Sequence, residues 1–304
     1  MRSSRNVCKK SILVMVVGLG VLASSQSAWA LSASLTDMNS EAQLSDSGTI
    51  GWEVNGINHM AQQWFWLRVG DTGPERMVNK DNFTEVYTVT FPVPAFGMVS
   101  NYYDPQTMLD ITVLETLMGG MPGQQWSDIA QTVRLNNHGP ASLEVHLFQF
   151  VNLDLGGTPE GDSAMLRAPH VLWQGQSGAT GLPGGKRAMV EMSVLSAPDK
   201  IQLGQADELL AMLNDGNPTD LVDNYHASGD DVAWALQWDL TLPPMGTVIV
   251  SEDLLMHPAP EPATMLTVGL CLVGIGRYGR RRRRRVAERH ETSGRQWGPP
   301  CNTR

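Results

Sequence analysis

Cysteine is missing from the whole of residues 31–257; the three in the chain are Cys8, Cys271 and Cys301. That stretch therefore forms no internal disulfide, offers no thiol nucleophile and holds no cysteine-ligated zinc. Positive charge is scarce there too: 8 Lys and Arg stand against 28 Asp and Glu, a net of −20 inside a chain whose formal total is −9. A body this acidic repels phosphate backbones, which excludes nucleic acid as its partner. Close histidine pairs are also lacking. His59, His138, His146, His170, His226 and His257 fall in no His-x-His or His-x-x-x-His spacing, so no metal site built on them is expected. The nearest approach to a Gly-x-Ser-x-Gly elbow, Gly175-Gln176-Ser177-Gly178, has the wrong spacing and belongs to a glycine-rich loop over residues 175–185.

What is present at the two ends is more telling. Arg2, Arg5, Lys9 and Lys10 precede a short apolar run, residues 12–23, and Ala28-Trp29-Ala30 places small residues where a signal peptidase reads. Charge, apolar core and small-residue site in that order predict a secretory signal over residues 1–30, cut after Ala30 with Ala28 as the second recognition position. At the other end Pro260-Glu261-Pro262 is followed by an uncharged apolar run, residues 263–276, then Arg277 and the block Arg280, Arg281, Arg282, Arg283, Arg284 and Arg285. The apolar run enters a bilayer and the arginines hold its far end at the cytoplasmic face. Pro-x-Pro keeps the preceding stretch extended and open to an enzyme.

This C-terminal pattern resembles the PEP-CTERM sorting region of exported proteins from exopolysaccharide-producing Gram-negative bacteria. The resemblance implies Sec export, recognition by a membrane-embedded exosortase through Pro260, Glu261 and Pro262, and delivery to the envelope, outer surface or extracellular matrix after transient anchoring in the inner membrane. Residues 258–285 form the sorting signal in this reading, and residues 286–304 follow as an unstructured cytoplasmic tail. Residues 62–70, 154–157 and 234–239 also look similar to exported PEP-CTERM domains, a likeness that implies a β fold and no reaction.

Between the ends, residues 31–257 are expected to form one exported domain. After a polar lead over residues 32–47, short runs rich in β-branched and aromatic residues recur between Gly, Pro, Asn and Asp. Strands are expected at residues 62–69, 84–91, 108–117, 128–135, 143–153, 171–175, 188–195, 232–242 and 247–252. In the first, Trp64, Trp66 and Arg68 share one face and Phe65, Leu67 and Val69 the other, as in a strand between two layers. One short helix is expected at residues 205–213, ended by Asp215-Gly216. The fold class that follows is all-β: a two-sheet antiparallel β-sandwich, jelly-roll or Ig-like, with one short helix, an N-terminal signal and a C-terminal transmembrane sorting segment.

No catalytic residue and no metal site emerges from the body. Asp110 and Glu115 are a nominal acid pair, but five positions along one strand they point to opposite faces. The acidic loops at residues 152–162 and 215–223 leave calcium open as a cofactor through hard oxygen ligands, without the ordered spacing of an EF-hand. Seven tryptophans, Trp52, Trp64, Trp66, Trp126, Trp173, Trp234 and Trp238, are expected mostly in the core, with a sugar-stacking platform as a minority use. The expectation is a noncatalytic envelope or matrix protein. Its partners are signal peptidase and the Sec machinery, exosortase, the membrane before processing, and exopolysaccharide. A secreted carbohydrate-active enzyme or a calcium-dependent carbohydrate-binding module is the alternative.

Overall fold

The computed structural model describes residues 32–45, 48–91, 96–176 and 188–258. The signal segment with Ala28 and Ala30, the motif Pro260-Glu261-Pro262, the apolar run 263–276, the arginine block and residues 286–304 lie outside them. Among the described residues no helix is long and apolar enough to cross a membrane.

Among the described residues eighteen strands and one helix follow one another. The first group is β1 (Ser32–Asp37), β2 (Ser40–Ser45), β3 (Gly48–Val54), β4 (Ile57–Asn58), β5 (Gln62–Val69) and β6 (Arg76–Met77). Then come β7 (Thr84–Phe91), β8 (Gly97–Asp104), β9 (Leu109–Gly119), β10 (Ser127–Asn137), β11 (Leu143–Asn152), β12 (Asp162–Ala168), β13 (Val171–Gln176) and β14 (Ala188–Val194). The last are β15 (Lys200–Gln205), α1 (Ala206–Asn214), β16 (His226–Ser228), β17 (Val232–Leu242) and β18 (Thr247–Pro258). Sheet one runs β1-β2-β3-β5-β11-β17-β15, with β4 on β3 and β6 on β5; sheet two runs β16-β12-β13-β14-β18-β10-β9-β8-β7. The fold is the expected two-sheet antiparallel sandwich with one helix. At nine strands a sheet it is broader than an eight-strand jelly roll or an Ig domain.

Within the polar lead, Ser32–Asp37 and Ser40–Ser45 fold as strands, against expectation. Leu35, Ala42 and Leu44 are buried, and β1 pairs with β2 from Ser32–Ser45 to Asp37–Ser40 around the two-residue turn Met38-Asn39. A serine-rich hairpin needs only these few inward apolar positions once its main-chain bonds are made. β8, β12 and β15 were likewise not anticipated. The helix lies one residue beyond its expected position.

Alternation explains the layering. On β5, Gln63 turns toward sheet two and meets Gln131, whereas Trp66 turns the other way and its indole N–H donates to Asn214 Oδ1 at the end of α1, 3.1 Å. Ala206, Leu209 and Leu213 form the buried side of that helix. Sheet one is thus covered on both sides along its middle, as the double-sided apolar pattern of β5 predicts. Trp52, Trp64, Trp66, Trp234 and Trp238 are fully buried, and at ~25 cal/mol per Å² each contributes on the order of 4–6 kcal/mol by transfer from water.

One polar seam crosses this core. Thr49, Gln63 and Gln149 project from sheet one, and Glu115, Gln131 and Glu252 from sheet two, all with at most 2% exposure. Thr49 Oγ1 donates to Glu115, 2.9–3.0 Å. Gln63 and Gln131 exchange amide hydrogen bonds, and Gln149 donates to Glu252. Register aligns the row, since Gln131 lies opposite both Glu115 and Glu252.

Candidate functional site: the outer face around Trp173

Trp173 does not share the fate of the core tryptophans. Its neighbours on β13, Leu172 and Gln174, are fully buried, and Gln174 Nε2 donates across to the main chain of sheet one at Leu153 O, 3.1 Å, and Val232 O, 3.2 Å. Strand alternation therefore sends Trp173 to the opposite, outward face, where it is half-buried. Its ring lies over Gly175, since a Cβ built there would meet the indole at 2.4 Å. The Arg167 guanidinium sits 4.8 Å above the ring.

Pairing register carries this face sideways. Trp173 lies opposite Glu191 on β14, Glu191 opposite Leu255 on β18, and Leu255 opposite Asp128 on β10. Asp253, two residues before Leu255 on the same side of β18, lies opposite Ser193 and Ala130. Glu191, Asp128 and Asp253 thus neighbour Leu255 on one half-buried surface, and Trp173 lies at its margin beyond Glu191.

Burial, and then the neighbouring Asp253 charge, push the Asp128 carboxyl up to about 6. Its Oδ1 is buried and accepts no hydrogen bond among the described residues. An indole with a guanidinium over it and a carboxylate beside it offers a sugar an apolar edge together with donors and an acceptor for its hydroxyls. A carboxyl titrating near 6 beside a second carboxylate is also the arrangement of a general acid.

A concavity of about 470 Å³ is lined by Arg76, Lys80, Asp81, Phe83, Glu85 and Asp104. Two of its charged groups are engaged with each other. Arg76 donates to Asp104, 2.6 Å, and stacks on Phe83, 4.4 Å from the ring centre. Burial opposes ionisation of Asp104, yet the Arg76 hydrogen bond and charge hold its carboxyl below the usual range.

The other sequence candidates separate cleanly. Asp110 faces outward and pairs with His138, 2.6 Å, while Glu115 is buried in the seam. His146 pairs with Asp239, 2.6 Å. His59 is buried, which brings its ring down to about 4, and its Nδ1 accepts from Gly156 N, 3.0 Å. Within residues 215–223 the carboxylates have local partners: Asp215 takes Asn217 N, Asp220 takes Lys200, and Asp223 takes Ile201 N. Among the described residues no three His, Cys, Asp or Glu side chains are grouped so as to hold a metal ion. Arg167, Glu191, Asp128 and Asp253 were missed in the sequence, because only pairing between distant strands brings them onto one face with Trp173.

No curated protein matches the chain by sequence. Among solved structures it is similar to a bacterial glucoamylase complexed with acarbose, at 8% identity and a TM-score of 0.53, over 83% of this chain and 36% of that one. The chain thus spans about a third of the glucoamylase's length. It also aligns with a putative aldose 1-epimerase from Escherichia coli K12, at 9% identity and a TM-score of 0.47, over 75% of this chain and 99% of that one. Identity this low speaks to the fold alone. Residues 258–284 match the PEP-CTERM protein-sorting motif, so the chain carries at the end of its β body the sorting motif read in Pro260, Glu261, Pro262 and the arginine block.

Proposed function

We propose that this is a noncatalytic protein exported by Sec, processed by exosortase and delivered to the cell envelope or extracellular matrix, where its β body holds exopolysaccharide on the Trp173 face. The observation that carries the reading is the sorting motif at residues 258–284. The half-buried Trp173, with Arg167 stacked on it and Glu191 beside it, supports the polysaccharide role. The net charge of −20 over residues 31–257 suits a neutral or cation-bridged glycan better than a strongly anionic one.

The test follows both termini by mass spectrometry in an exosortase-bearing host. In the parent protein the N-terminus is expected after Ala30 and the C-terminus near Pro262. Joint replacement of Pro260, Glu261 and Pro262 by Ala should leave the tail attached and the protein in the inner membrane. Unchanged processing and location in that variant would refute the sorting role. Trp173→Ala should release the exported protein from the matrix without altering its processing.

The Asp128 carboxyl near 6 beside Asp253 favours one alternative, a secreted carbohydrate-active enzyme. Glycan cleavage by the purified protein that is lost in Asp128→Asn would establish it over the binding role.

A further inference from the structure

The second sheet runs close to the sorting motif. β18 stays paired with β14 as far as Pro258, which lies opposite Ala188, and the apolar run opens at Ala263, five residues on. Five residues span at most about 18 Å. A tail seated in a bilayer therefore keeps the rim where β18 ends within one short tether of the lipid headgroups. β9, 11 residues long, puts the two rims of the sheet roughly 35 Å apart.

Register shows what the exit rim presents. Met256 lies opposite Ser127, and Ser127 opposite Gly119, so the β9–β10 turn, residues 120–126, stands beside the exit. The β1–β2 turn is joined to it: Asn39 N donates to Gly120 O, 3.3 Å, and the Asn39 and Asn55 amides both donate to Gln124 O, 2.6 and 2.7 Å. Met38, Met121 and Met118 are 70%, 65% and 57% exposed here, and Trp126 is half-buried. Residues 38–39, 55–56 and 120–126 carry no charge, in a body whose net is −20. Across the exit the surface changes. Gln174, in one row with Val190 and Met256, donates to Leu153 O and to the buried Asp162, on which Asp154 and Asp231 act electrostatically. One flank of the exit is apolar and the other acidic.

We propose that Met38, Met118, Met121 and Trp126 seat the apolar flank on the lipid surface that the tail enters, before processing frees the body. Exposed methionine alone does not choose this rim, since Met108 and Met245 are 46% and 70% exposed at the far one; the exit of the chain does. Uncharged thioether and indole groups suit the interfacial layer, where tryptophan is favoured. An acidic body meets a zwitterionic surface without the repulsion that an anionic one imposes. The tether makes the contact intramolecular, so a small patch suffices. The proposal rests on the sorting reading, because only a membrane-seated tail brings the rim there.

The test puts one bimane label at a time on the full chain in phosphatidylcholine vesicles, the other cysteines replaced by Ser, and reads quenching by nitroxide-bearing lipids. The label sits on Met121→Cys, on Met245→Cys at the far rim, or on the native Cys271. Shallow nitroxides should remove most of the emission at position 121 and little at position 245, and deep nitroxides should quench the label on Cys271. Met38→Asp combined with Met118→Gln should restore emission at position 121; Asp is tolerated at the left-handed Met38 position, φ 48°. Quenching that survives this double substitution would show that the tether alone brings the rim close, which overturns the docking. Quenching at position 121 no greater than at position 245, with Cys271 quenched, overturns the docking alone. An unquenched label on Cys271 overturns the membrane reading of the tail and the docking with it.

Discussion

Gln149 and Glu252 face each other across the two sheets, the amide N–H of Gln149 donating to one oxygen of Glu252. The remaining oxygen of each, Gln149 Oε1 and Glu252 Oε2, is buried and unpaired. Two acceptors left face to face are satisfied at once if Glu252 carries a proton, since the acid O–H then donates to the amide oxygen. The electrostatics agree: full burial, then Asp253 and Glu115, push the Glu252 carboxyl well up, and burial alone outweighs the Gln131 and Thr49 hydrogen bonds that would hold Glu115 down, leaving it at about 7.

Stability should therefore depend on pH in an unusual direction. A carboxyl whose folded value is raised contributes stability that is complete below its unfolded value near 4.5 and lost as pH rises through the folded one. For Glu115 the loss between pH 4.5 and above 7 is on the order of 3 kcal/mol. Urea melts should weaken from pH 5 to pH 8, and Glu252→Gln or Glu115→Gln should flatten that slope and stabilise the protein at pH 8. A slope unchanged in both variants would count against buried protonated glutamates.

Arg68 and Glu75 form a buried pair at 2.6 Å, and Arg68 also donates to Thr219 O, 2.7 Å, while Glu75 accepts from Thr219 N, 2.8 Å. Arg68→Met strands a buried carboxylate and should cost about 3–5 kcal/mol. Adding Glu75→Gln should recover much of that loss, because the amide is neutral and still accepts from Thr219. Chemical denaturation of the single and double variants gives the comparison, and additive losses would speak against the pairing.

Gly175 matters for its neighbour rather than for its own backbone. A methyl group there would overlap the Trp173 indole, so Gly175→Ala should tilt the ring out of place and weaken glycan retention roughly tenfold, an effect in the range of a lost aromatic contact. Binding to host polysaccharide measured beside Trp173→Ala decides it: equal losses are expected, and full binding by Gly175→Ala would separate the ring from the function.

β7 closes sheet two and, among the described residues, pairs only with β8. Val86, Tyr87, Val89 and Phe91 are exposed on it, and Glu85 is its single charge. A bare edge of high β propensity invites pairing with another chain. Val89→Lys should slow association at micromolar concentration, read by light scattering, with Tm changed by no more than a degree or two. Unaltered association would clear this edge.

The residues by themselves determined the C-terminal sorting motif and the class of fold. Motif and charge order mark the first, and period-two alternation of β-branched and aromatic side chains marks β5, β7 and β17 to the residue, because both are local properties. The β1–β2 hairpin was not legible, since its few apolar residues become informative only when pairing supplies the rest of the stabilisation. Tertiary structure alone decided which polar groups meet. Glu115, Glu252 and Asp162 read as ordinary surface carboxylates until strands far apart in sequence bury them. Trp173 differs from Trp234 only in which face of its sheet is covered. Alternation tells that a strand has two faces, but which one the second sheet occupies depends on register between segments over a hundred residues apart, and no local pattern records it.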